Sequence, residues 1–282
     1  MIKNILVCLE GSRSSDAATR AAIQIAQERR ATLVGMAIVD EPDIRAAMPM
    51  GIGGSSFRHD RDEALLFHAH AHAKDWLATF ERRCRDAGVP ARTIEAVGRP
   101  AKSILDEMER HDFTVMGRDA NFRSETADDD SATRAKILRN TTHPVLLIPE
   151  ADPGDQASLG KTVLIAYDGS APAEHALTSF AQSGLAEARE VHVAAVGDDG
   201  EKAWDLAQSA ALKLGTFGIK TVTHNLVSAL PTSDALVELA ADLGAGLLVM
   251  GAFSHSRLAE LIRGSRTRNI VEHSKAAICL QH

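Results

Sequence analysis

Short runs of apolar residues alternate with longer stretches of helical periodicity along the whole chain. Most of the short runs are continuously apolar, which is typical of parallel strands that are covered on both faces. The predicted strands span residues 3–9, 32–39, 91–97, 113–117 and 144–149, and then 161–167, 190–196, 219–227, 246–250 and 276–281. Ten such strands separated by helices predict an α/β protein built on doubly wound parallel sheets.

The segments between the predicted strands carry the signals of helix starts and stops. Ser15–Arg30 has a stripe of small apolar residues, and a long helix that starts near Asp60 is predicted to stop at Gly88. Pro100 and Pro231 stand where the first turn of a helix tolerates proline. In sheets of this kind, ligands bind beyond the carboxyl ends of the strands, where the strand order reverses.

The same pattern occurs twice in the chain. Ile5–Ser12 (ILVCLEGS) returns 158 residues later as Val163–Ser170 (VLIAYDGS). Phe113–Gly117 (FTVMG) returns 134 residues later as Leu247–Gly251 (LLVMG). Two matched blocks in the same order indicate an internal duplication, with a period too long for a solenoid.

The duplication predicts two tandem Rossmann-like or flavodoxin-like domains, residues 1–150 and 161–282, joined by a linker rich in Gly, Pro and acidic residues. Each domain is predicted to be a five-stranded parallel sheet with helices on both faces. The first copy is 24 residues longer between its two blocks, and Met48–Phe57 is predicted to be a flexible glycine-rich loop within that excess.

Each copy ends in an apolar strand, at 144–149 and at 276–281. An unpaired apolar edge strand is an aggregation hazard. We therefore expect the two copies to pair these edges as an intrachain pseudo-dimer, and a homodimer stays open as well.

Composition and charge exclude several classes of protein. The net charge of −7 and the 4% aromatic content argue against a nucleic-acid binder, which needs a positive face or stacking platforms. No apolar run approaches the roughly 18 residues of a membrane span. Three widely spaced cysteines, Cys8, Cys84 and Cys279, favour a reduced cytoplasmic protein without a cysteine metal site.

The segment after Gly251 holds the densest candidate chemistry. A predicted strand ends there, and Gly264-Ser265 then precedes a predicted helix at Thr267–Ser274. Glycine lets the backbone approach a ligand, and the N–H groups at a helix start bind phosphate. Four arginines fall within twelve residues of this segment: Arg257, Arg263, Arg266 and Arg268. The alternative is that the glycines only form turns and the arginines a solvated helix face.

This layout resembles the universal stress protein family in its tandem two-domain form. Nucleotide-binding members of that family carry a Gly, two residues, a second Gly, nine residues, and then Gly-Ser or Gly-Thr. The chain has Gly251, two residues, Ser254, nine residues and Gly264-Ser265, so that serine replaces one glycine. The run that ends in Asp168-Gly-Ser and the Val-Met-Gly strand are similar to the family's as well. The resemblance implies a five-stranded Rossmann-like sheet, with ATP or AMP bound in some members and no nucleotide in others.

Carried over residue by residue, the resemblance places Asp168 at the ribose and the backbone of Val196 at the adenine. It also implies that five residues surround the phosphates of ATP or AMP, with or without Mg²⁺. These residues are Gly251, Ser254, Gly264, Ser265 and Arg266. Backbone N–H groups, a serine hydroxyl and arginine suit phosphate oxygens. The Cβ of Ser254 weakens the match, because it could crowd a phosphate or disfavour a positive φ.

The first copy departs further from the nucleotide pattern. After Gly117 the second glycine is replaced by Ala120, and Gly-Ser has become Asp130-Ser131. Asp128 and Asp129 add two more carboxylates, and Glu10 replaces the aspartate of the first strand. Since like charges repel a triphosphate, we expect a degenerate site in this copy. The three aspartates could instead hold a divalent cation.

A His-Ala repeat at His68, His70 and His72 is the other candidate for metal chemistry. On a helix, positions 68 and 72 share a face and position 70 points nearly opposite. At most two of them could therefore act together in a zinc site, with His59 or a partner chain completing it. The alternative is a helix surface whose alanines face the core.

The chain contains no nucleophile elbow, no Walker lysine motif and no metalloprotease helix. We therefore expect an adenine-nucleotide binding or sensing module rather than a turnover enzyme, with protein partners that the sequence does not identify. Two alternatives stay open. One is a slow ATPase on the same fold, and the other is an interaction scaffold that binds no nucleotide.

Overall fold

A computed structural model describes residues 2–46, 55–120, 122, 131–151, 159–196, 199–226, 232–251 and 274–281. Its strands lie within one or two residues of the predicted ones at either end. They are β1 (Asn4–Leu9), β2 (Thr32–Val39), β3 (Ala91–Val97), β4 (Phe113–Gly117), β5 (Val145–Ile148), β6 (Thr162–Ala166), β7 (Glu190–Val196), β8 (Thr221–Leu226), β9 (Leu247–Gly251) and β10 (Ala277–Gln281). We call β1–β5 with their helices the first half, and β6–β10 with theirs the second half.

Helices connect the strands within each half. They are α1 (Arg13–Arg29), α2 (Glu41–Ile44), α3 (Ser55–Asp86), α4 (Pro100–Met108), α5 (Ser131–Asn140), α6 (Ala171–Ser183), α7 (Gly200–Thr216) and α8 (Thr232–Asp242). Serine caps start α1 and α6: the Oγ of Ser12 accepts from the Ser15 N–H at 3.1 Å, and that of Ser170 from the Ala173 N–H at 3.3 Å.

For two helices, one predicted end is wrong. Ser55–Phe57 were assigned to a glycine-rich loop but belong to the first turn of α3, which starts five residues before Asp60. Ser and Phe are compatible with a helix, unlike the glycines that precede them in the sequence. The long amphipathic pattern that follows extends back over these residues. Ser274, predicted as the last helical residue, is not helical.

All ten strands form one sheet, with the order β3-β2-β1-β4-β5-β10-β9-β6-β7-β8. Within each half every pair is parallel, and the order reverses between β1 and β4 in the first half and between β6 and β9 in the second. The α/β class and the five parallel strands per half are therefore as predicted. The two sheets are continuous with each other rather than separate.

The join is antiparallel and lies between the two terminal strands. Leu147 faces Ile278 and Leu146 faces Cys279 in the register of β5 against β10. Both strands are buried almost throughout. The pairing satisfies the backbone of two apolar edges at once, and it is the intrachain pseudo-dimer contact that the sequence predicts.

Each face of the sheet carries its own core. On one face lie α1, α3, α6 and α7, with fully buried side chains such as Phe80 and Leu177. On the other lie α4, α5 and α8, with side chains such as Ile104 and Ile137. Every strand that is covered in this way is buried on both faces, which explains the continuously apolar runs.

The three cysteines are free and buried. Burial raises the pKa of Cys8 and of Cys279 to about 12, and burial together with the charge of Glu81 raises the pKa of Cys84 to about 11. These thiols are therefore inert side chains of the core rather than ligands or nucleophiles. Among the helices described, none is both long and apolar enough to cross a membrane.

Candidate functional site

Three predicted site residues lie at one edge of the sheet, because they end or follow three neighbouring strands. Asp168 comes two residues after β6, Val196 ends β7 and Gly251 ends β9. Strands β7, β6 and β9 are adjacent and parallel, so their carboxyl ends meet at the same edge. Asp168 and Gly251 flank the point where the strand order of the second half reverses, which is the expected place for a ligand.

Asp168 is held in a tight turn that starts α6. Its Oδ1 accepts hydrogen bonds from the backbone N–H of Ser170 at 3.0 Å and from the Ser170 hydroxyl at 2.6 Å. Gly169 between them has a φ of +75°, a conformation that glycine adopts without strain. The carboxylate is half-buried at the sheet edge, and the turn fixes where it stands.

The first half builds the same turn with a longer acid. Glu10 accepts a hydrogen bond from the hydroxyl of Ser12, which caps α1, and Gly11 between them has a φ of +82°. In both halves, the acid-Gly-Ser motif therefore orients the start of the helix that follows it. Any ligand role of Asp168 is added to that structural role.

Gly251 is needed by the packing of the fold. A Cβ at this position would lie 2.5 Å from the backbone N of Ala173 and 2.6 Å from the carbonyl carbon of Pro172, at the start of α6. Gly117 meets the start of α1 in the same way, with a Cβ position 2.7 Å from the backbone N of Ser15. The Val-Met-Gly motif of both halves thus allows a helix start to approach the strand, whether or not a ligand binds.

The remaining predicted phosphate residues, Ser254, Gly264, Ser265 and Arg266, lie outside the described residues, as do the other three arginines of that segment. Asp128–Asp130 of the first half also lie outside them. Ala120, which replaces a family glycine, is buried. The part of the site that the structure describes is therefore the sheet edge formed by Asp168, Val196 and Gly251.

The first half has a crevice of about 330 Å³ on the α4 and α5 face, beyond the end of β2. Asp40 and Asp43 line it together with Arg99 and Lys136. Asp40 caps the short helix α2 by accepting from the Asp43 N–H at 3.2 Å. The lining of the crevice therefore holds two acidic and two basic side chains.

Sequence reasoning missed a half-buried polar cluster next to Asp168. The hydroxyl of Tyr167 donates to Glu174 on α6, and Lys213 at the end of α7 pairs with the other carboxylate oxygen of Glu174. Burial and, to a lesser degree, the negative charge of Asp168 raise the pKa of the Tyr167 phenol. The first half has an equivalent ion pair between Asp16 on α1 and Arg83 on α3. The offset of 158 residues relates Glu174 to Asp16, but Lys213 lies 130 residues after Arg83, so the two blocks of the duplication do not align this pair.

A second pair that the sequence does not reveal joins His192 on β7 with His224 on β8. Their ring nitrogens Nδ1 and Nε2 are 2.8 Å apart, and Nε2 of His192 lies 3.3 Å from a carboxylate oxygen of Glu190. Burial and the neighbouring His192 lower the pKa of His224. The lowered pKa favours the neutral imidazole of His224.

The His-Ala repeat lies on the surface of α3. His68 and His72 are exposed, His70 bonds to Glu95 on β3, and Ala73 is fully buried with Ala69 packed at the edge of the core. Within the described part of the chain, no three His, Cys, Asp or Glu side chains are grouped to hold a metal ion. The exposed His68 and His72 and the buried Ala73 agree with the helix-surface interpretation.

Comparison with known proteins agrees with this geometry. A model of the universal stress protein family matches residues 1–149 and 160–279. A universal stress protein of Synechocystis sp. is 25% identical over 290 residues, which is 98% of the chain and 99% of that protein.

Solved structures share the fold over the full length. A universal stress protein from Archaeoglobus fulgidus aligns with a TM-score of 0.70 at 20% identity and covers 99% of this chain and 95% of its own. A functionally unknown protein from Pseudomonas aeruginosa aligns with a TM-score of 0.58 at 16% identity, over 99% and 92%. With two family matches in one chain and one continuous duplicated sheet, the chain belongs to the universal stress protein family in its tandem form.

Proposed function

We propose that the second half binds an adenine nucleotide, ATP or AMP, and that the chain acts as a binding or sensing module in a stress response. One observation carries the proposal: Asp168 and Gly251 flank the strand-order reversal of the second half, at the carboxyl edge where such sheets bind ligands. Family membership supports the same class of ligand, since some members bind ATP or AMP.

Each proposed residue would supply a specific contact. The carboxylate of Asp168 would accept from a ribose hydroxyl, and the backbone at Val196 would contact adenine. Gly251, Ser254, Gly264 and Ser265 would donate to phosphate oxygens through backbone N–H or hydroxyl groups, and Arg266 would supply positive charge. Mg²⁺, if present, would be held chiefly by the phosphates.

We infer that the first half is degenerate for nucleotide. Glu10, Ala120 and Asp130 stand where the second half has Asp168, Ser254 and Gly264. Asp128 and Asp129, next to Asp130, add two more carboxylates at this place in the sequence. A carboxylate-rich edge repels polyphosphate, so one nucleotide per chain is expected.

We further propose that the second half binds the nucleotide without hydrolysing it. Hydrolysis needs a base that orients water at the terminal phosphate. On the described part of the edge, the Asp168 carboxylate accepts two hydrogen bonds from Ser170. The resemblance to the family assigns it to the ribose rather than to the terminal phosphate. The three inert buried thiols are compatible with action in a reducing cytoplasm.

Calorimetry with ATP and AMP on the full chain tests the proposal, with Gly264→Asp as the test variant. The new carboxylate would face phosphate and remove at least one charge-assisted hydrogen bond, so affinity should fall at least about tenfold. Gly215→Asp is the matched control: it adds the same side chain at an exposed position of α7, where a Cβ meets no atom within 4 Å.

The outcomes separate the three candidate functions. Saturable binding of one nucleotide per chain, lost in Gly264→Asp only, supports the proposal. Two nucleotides per chain, or equal binding by both variants, would contradict the assignment to the second half. Steady phosphate release above buffer would favour the slow ATPase, and absence of any binding would favour the interaction scaffold.

A further inference from the structure

Strand β8 forms one end of the sheet, and exposed apolar side chains are concentrated around it. In the order of the described strands, β8 pairs with β7 and has no neighbour on its other side. The described part of the chain exposes six large apolar side chains. Four of them lie on α7, on β8 or in the turn between the two: Trp204, Leu212, Phe217 and Val222. Clustered exposed apolar groups of this kind mark an interaction surface more often than scattered ones do.

Apolar side chains flank β8 on both faces of the sheet. Nε2 of Gln208 on α7 donates to the hydroxyl of Thr223 on β8 at 3.2 Å, so this side of the helix stands over the edge strand. Trp204 and Leu212 lie one turn before and one turn after Gln208 on the same side of α7, and they are 42% and 75% exposed. Val222, 46% exposed, points to the opposite face from Thr223. We call β8 with Trp204, Leu212 and Val222 the β8 edge.

The other end of the sheet, at β3, carries charged side chains at the corresponding positions. Gly88 and Gly218, which follow α3 and α7, are 130 residues apart, and so are the first residues of β3 and β8. At this offset the three apolar side chains of the β8 edge correspond to three exposed basic ones: Lys74, Arg82 and Arg92. Charged side chains are a usual means of keeping an edge strand from pairing with another chain. The β3 end is protected in this way, and the β8 edge is not.

The middle of the β8 edge is uncharged, which favours a contact between two copies of the chain. A two-fold contact brings identical groups together near its axis, so a charge at the centre would repel its own copy. Residues 221–226 contain no Asp, Glu, Lys or Arg. The side chains of α7 that stand over them, Trp204, Gln208 and Leu212, are uncharged as well.

Two exposed residues at the ends of this edge have opposite charges. Lys220 directly precedes β8, and Glu201 is in the first turn of α7, two turns before Gln208 on the same side of the helix. A short turn joins the end of α7 to the start of β8, so the start of α7 lies toward the end of β8. Antiparallel pairing of two β8 strands would therefore bring Lys220 of one copy to the same end of the contact as Glu201 of the other.

From these observations we propose that two copies of the chain associate through the β8 edge, with their β8 strands antiparallel across a two-fold axis. Backbone hydrogen bonds between the strands would supply affinity, and Trp204 and Leu212 of both copies would pack over them. The contact would continue the sheet from one copy into the other, as the antiparallel β5–β10 pair continues it from one half into the other. The proposal does not depend on nucleotide binding by the second half, and the two can fail separately.

Sedimentation velocity of the full chain over a series of protein concentrations tests the association. Because a contact of one strand and a few side chains is small, we expect a dimer that dissociates in the micromolar range. Hydrogen exchange then locates the contact. Amides of β8 that face away from β7 should exchange more slowly at concentrations at which the dimer is populated, whereas the amides of β3, at the other end of the sheet, should not change.

Three variants give the β8 edge the charges of the β3 end. Trp204→Lys, Leu212→Arg and Val222→Arg should each raise the dissociation constant of the dimer at least about tenfold, because the two-fold axis places each new charge near its own copy. Phe67→Lys is the matched control: it replaces an exposed apolar side chain of α3, in the other half, and should dimerise like the parent. Circular dichroism and thermal unfolding verify that each variant is folded.

Three results would overturn the proposal. The first is a parent chain that stays monomeric throughout the micromolar range, which would leave the β8 edge to a strand of a different protein. The second is a dimer that all three charged variants form as readily as the parent, which would place the contact elsewhere. The third is growth into species larger than a dimer, since a two-fold contact closes after two copies.

Discussion

At the scale of single residues, Gly251 illustrates how one motif can have two explanations. The sequence suggests that the glycine lets backbone approach a phosphate, and the fold shows that it lets backbone approach α6. Gly117 does the same against α1 in the half where nucleotide is not expected. Packing alone therefore accounts for glycine at both positions, and the nucleotide proposal gains its support from the place of Asp168 in the topology.

The packing role predicts that Gly251→Ala destabilises the protein. Its Cβ would meet backbone atoms of Pro172 and Ala173, which cannot rotate away, so the free energy of unfolding should fall by about 1–3 kcal/mol. Urea unfolding measures the change. Gly215→Ala is the control, since it adds a methyl group in open space on α7 and should change stability by no more than about 1 kcal/mol, in the stabilising direction. Equal stability of both variants and the parent would contradict the packing role.

At the scale of elements, Tyr167, Glu174 and Lys213 connect the end of β6 to α6 and α7. Burial and the charge of Asp168 raise the pKa of the Tyr167 phenol above its ordinary value of about 10. The folded state thus holds the phenolic proton more tightly than the unfolded state. The resulting stability is fully present below about pH 10 and is lost as the pH rises through the folded-state pKa.

The single tyrosine of the chain makes this prediction directly measurable. Phenolate absorbance of the folded protein should titrate with a midpoint above that of the protein unfolded in urea. Tyr167→Phe should remove the corresponding part of the alkaline loss of stability, and Asp168→Asn should lower the midpoint only partly, because burial remains. A folded midpoint at or below the unfolded one would contradict the assigned environment.

At the scale of the whole molecule, the halves are joined by more than the β5–β10 pair. Arg189 directly precedes β7, and its side chain is almost fully buried. Its guanidinium group donates to the carbonyl oxygen of Leu185 at 2.8 Å and to that of Gly160 at 3.2 Å. It also pairs with Glu28 at the end of α1 at 3.1 Å. Arg29 makes a second ion pair across the halves, with Glu187 at 2.5 Å.

Arg189→Ala should therefore destabilise the chain as a unit. It leaves the carbonyl of the buried Leu185 without the donor from Arg189 and Glu28 without its pair, and the free energy of unfolding should fall by about 2–3 kcal/mol. Arg45→Ala is the control, because Arg45 forms an exposed pair with Glu41 one helical turn away and should contribute no more than about 0.5 kcal/mol. A similar loss from both variants in urea unfolding would show that Arg189 has no special place in the junction.

Local pattern alone determined the α/β class, the duplication and nearly every strand. A strand that is buried on both faces must be apolar at successive positions, and a duplicated element repeats that run at a fixed offset. Val163–Ser170 could thus be aligned with Ile5–Ser12 without any structure. The same apolar terminal strands predicted that the halves pair, since an edge of this kind needs a partner.

Contacts between residues far apart in the chain were decided only by the tertiary structure. Trp76 reaches Gly11 and Lys213 reaches Glu174 because helices on the same face lie side by side, and no local periodicity encodes which side chains then meet. The start of α3 was misplaced because the preceding glycines suggested a loop, whereas the helix begins directly after them. Whether Gly251 is needed for a neighbouring helix or for a ligand was likewise open in the sequence, because both demand the same absent side chain, and the distance to Ala173 resolved the packing role.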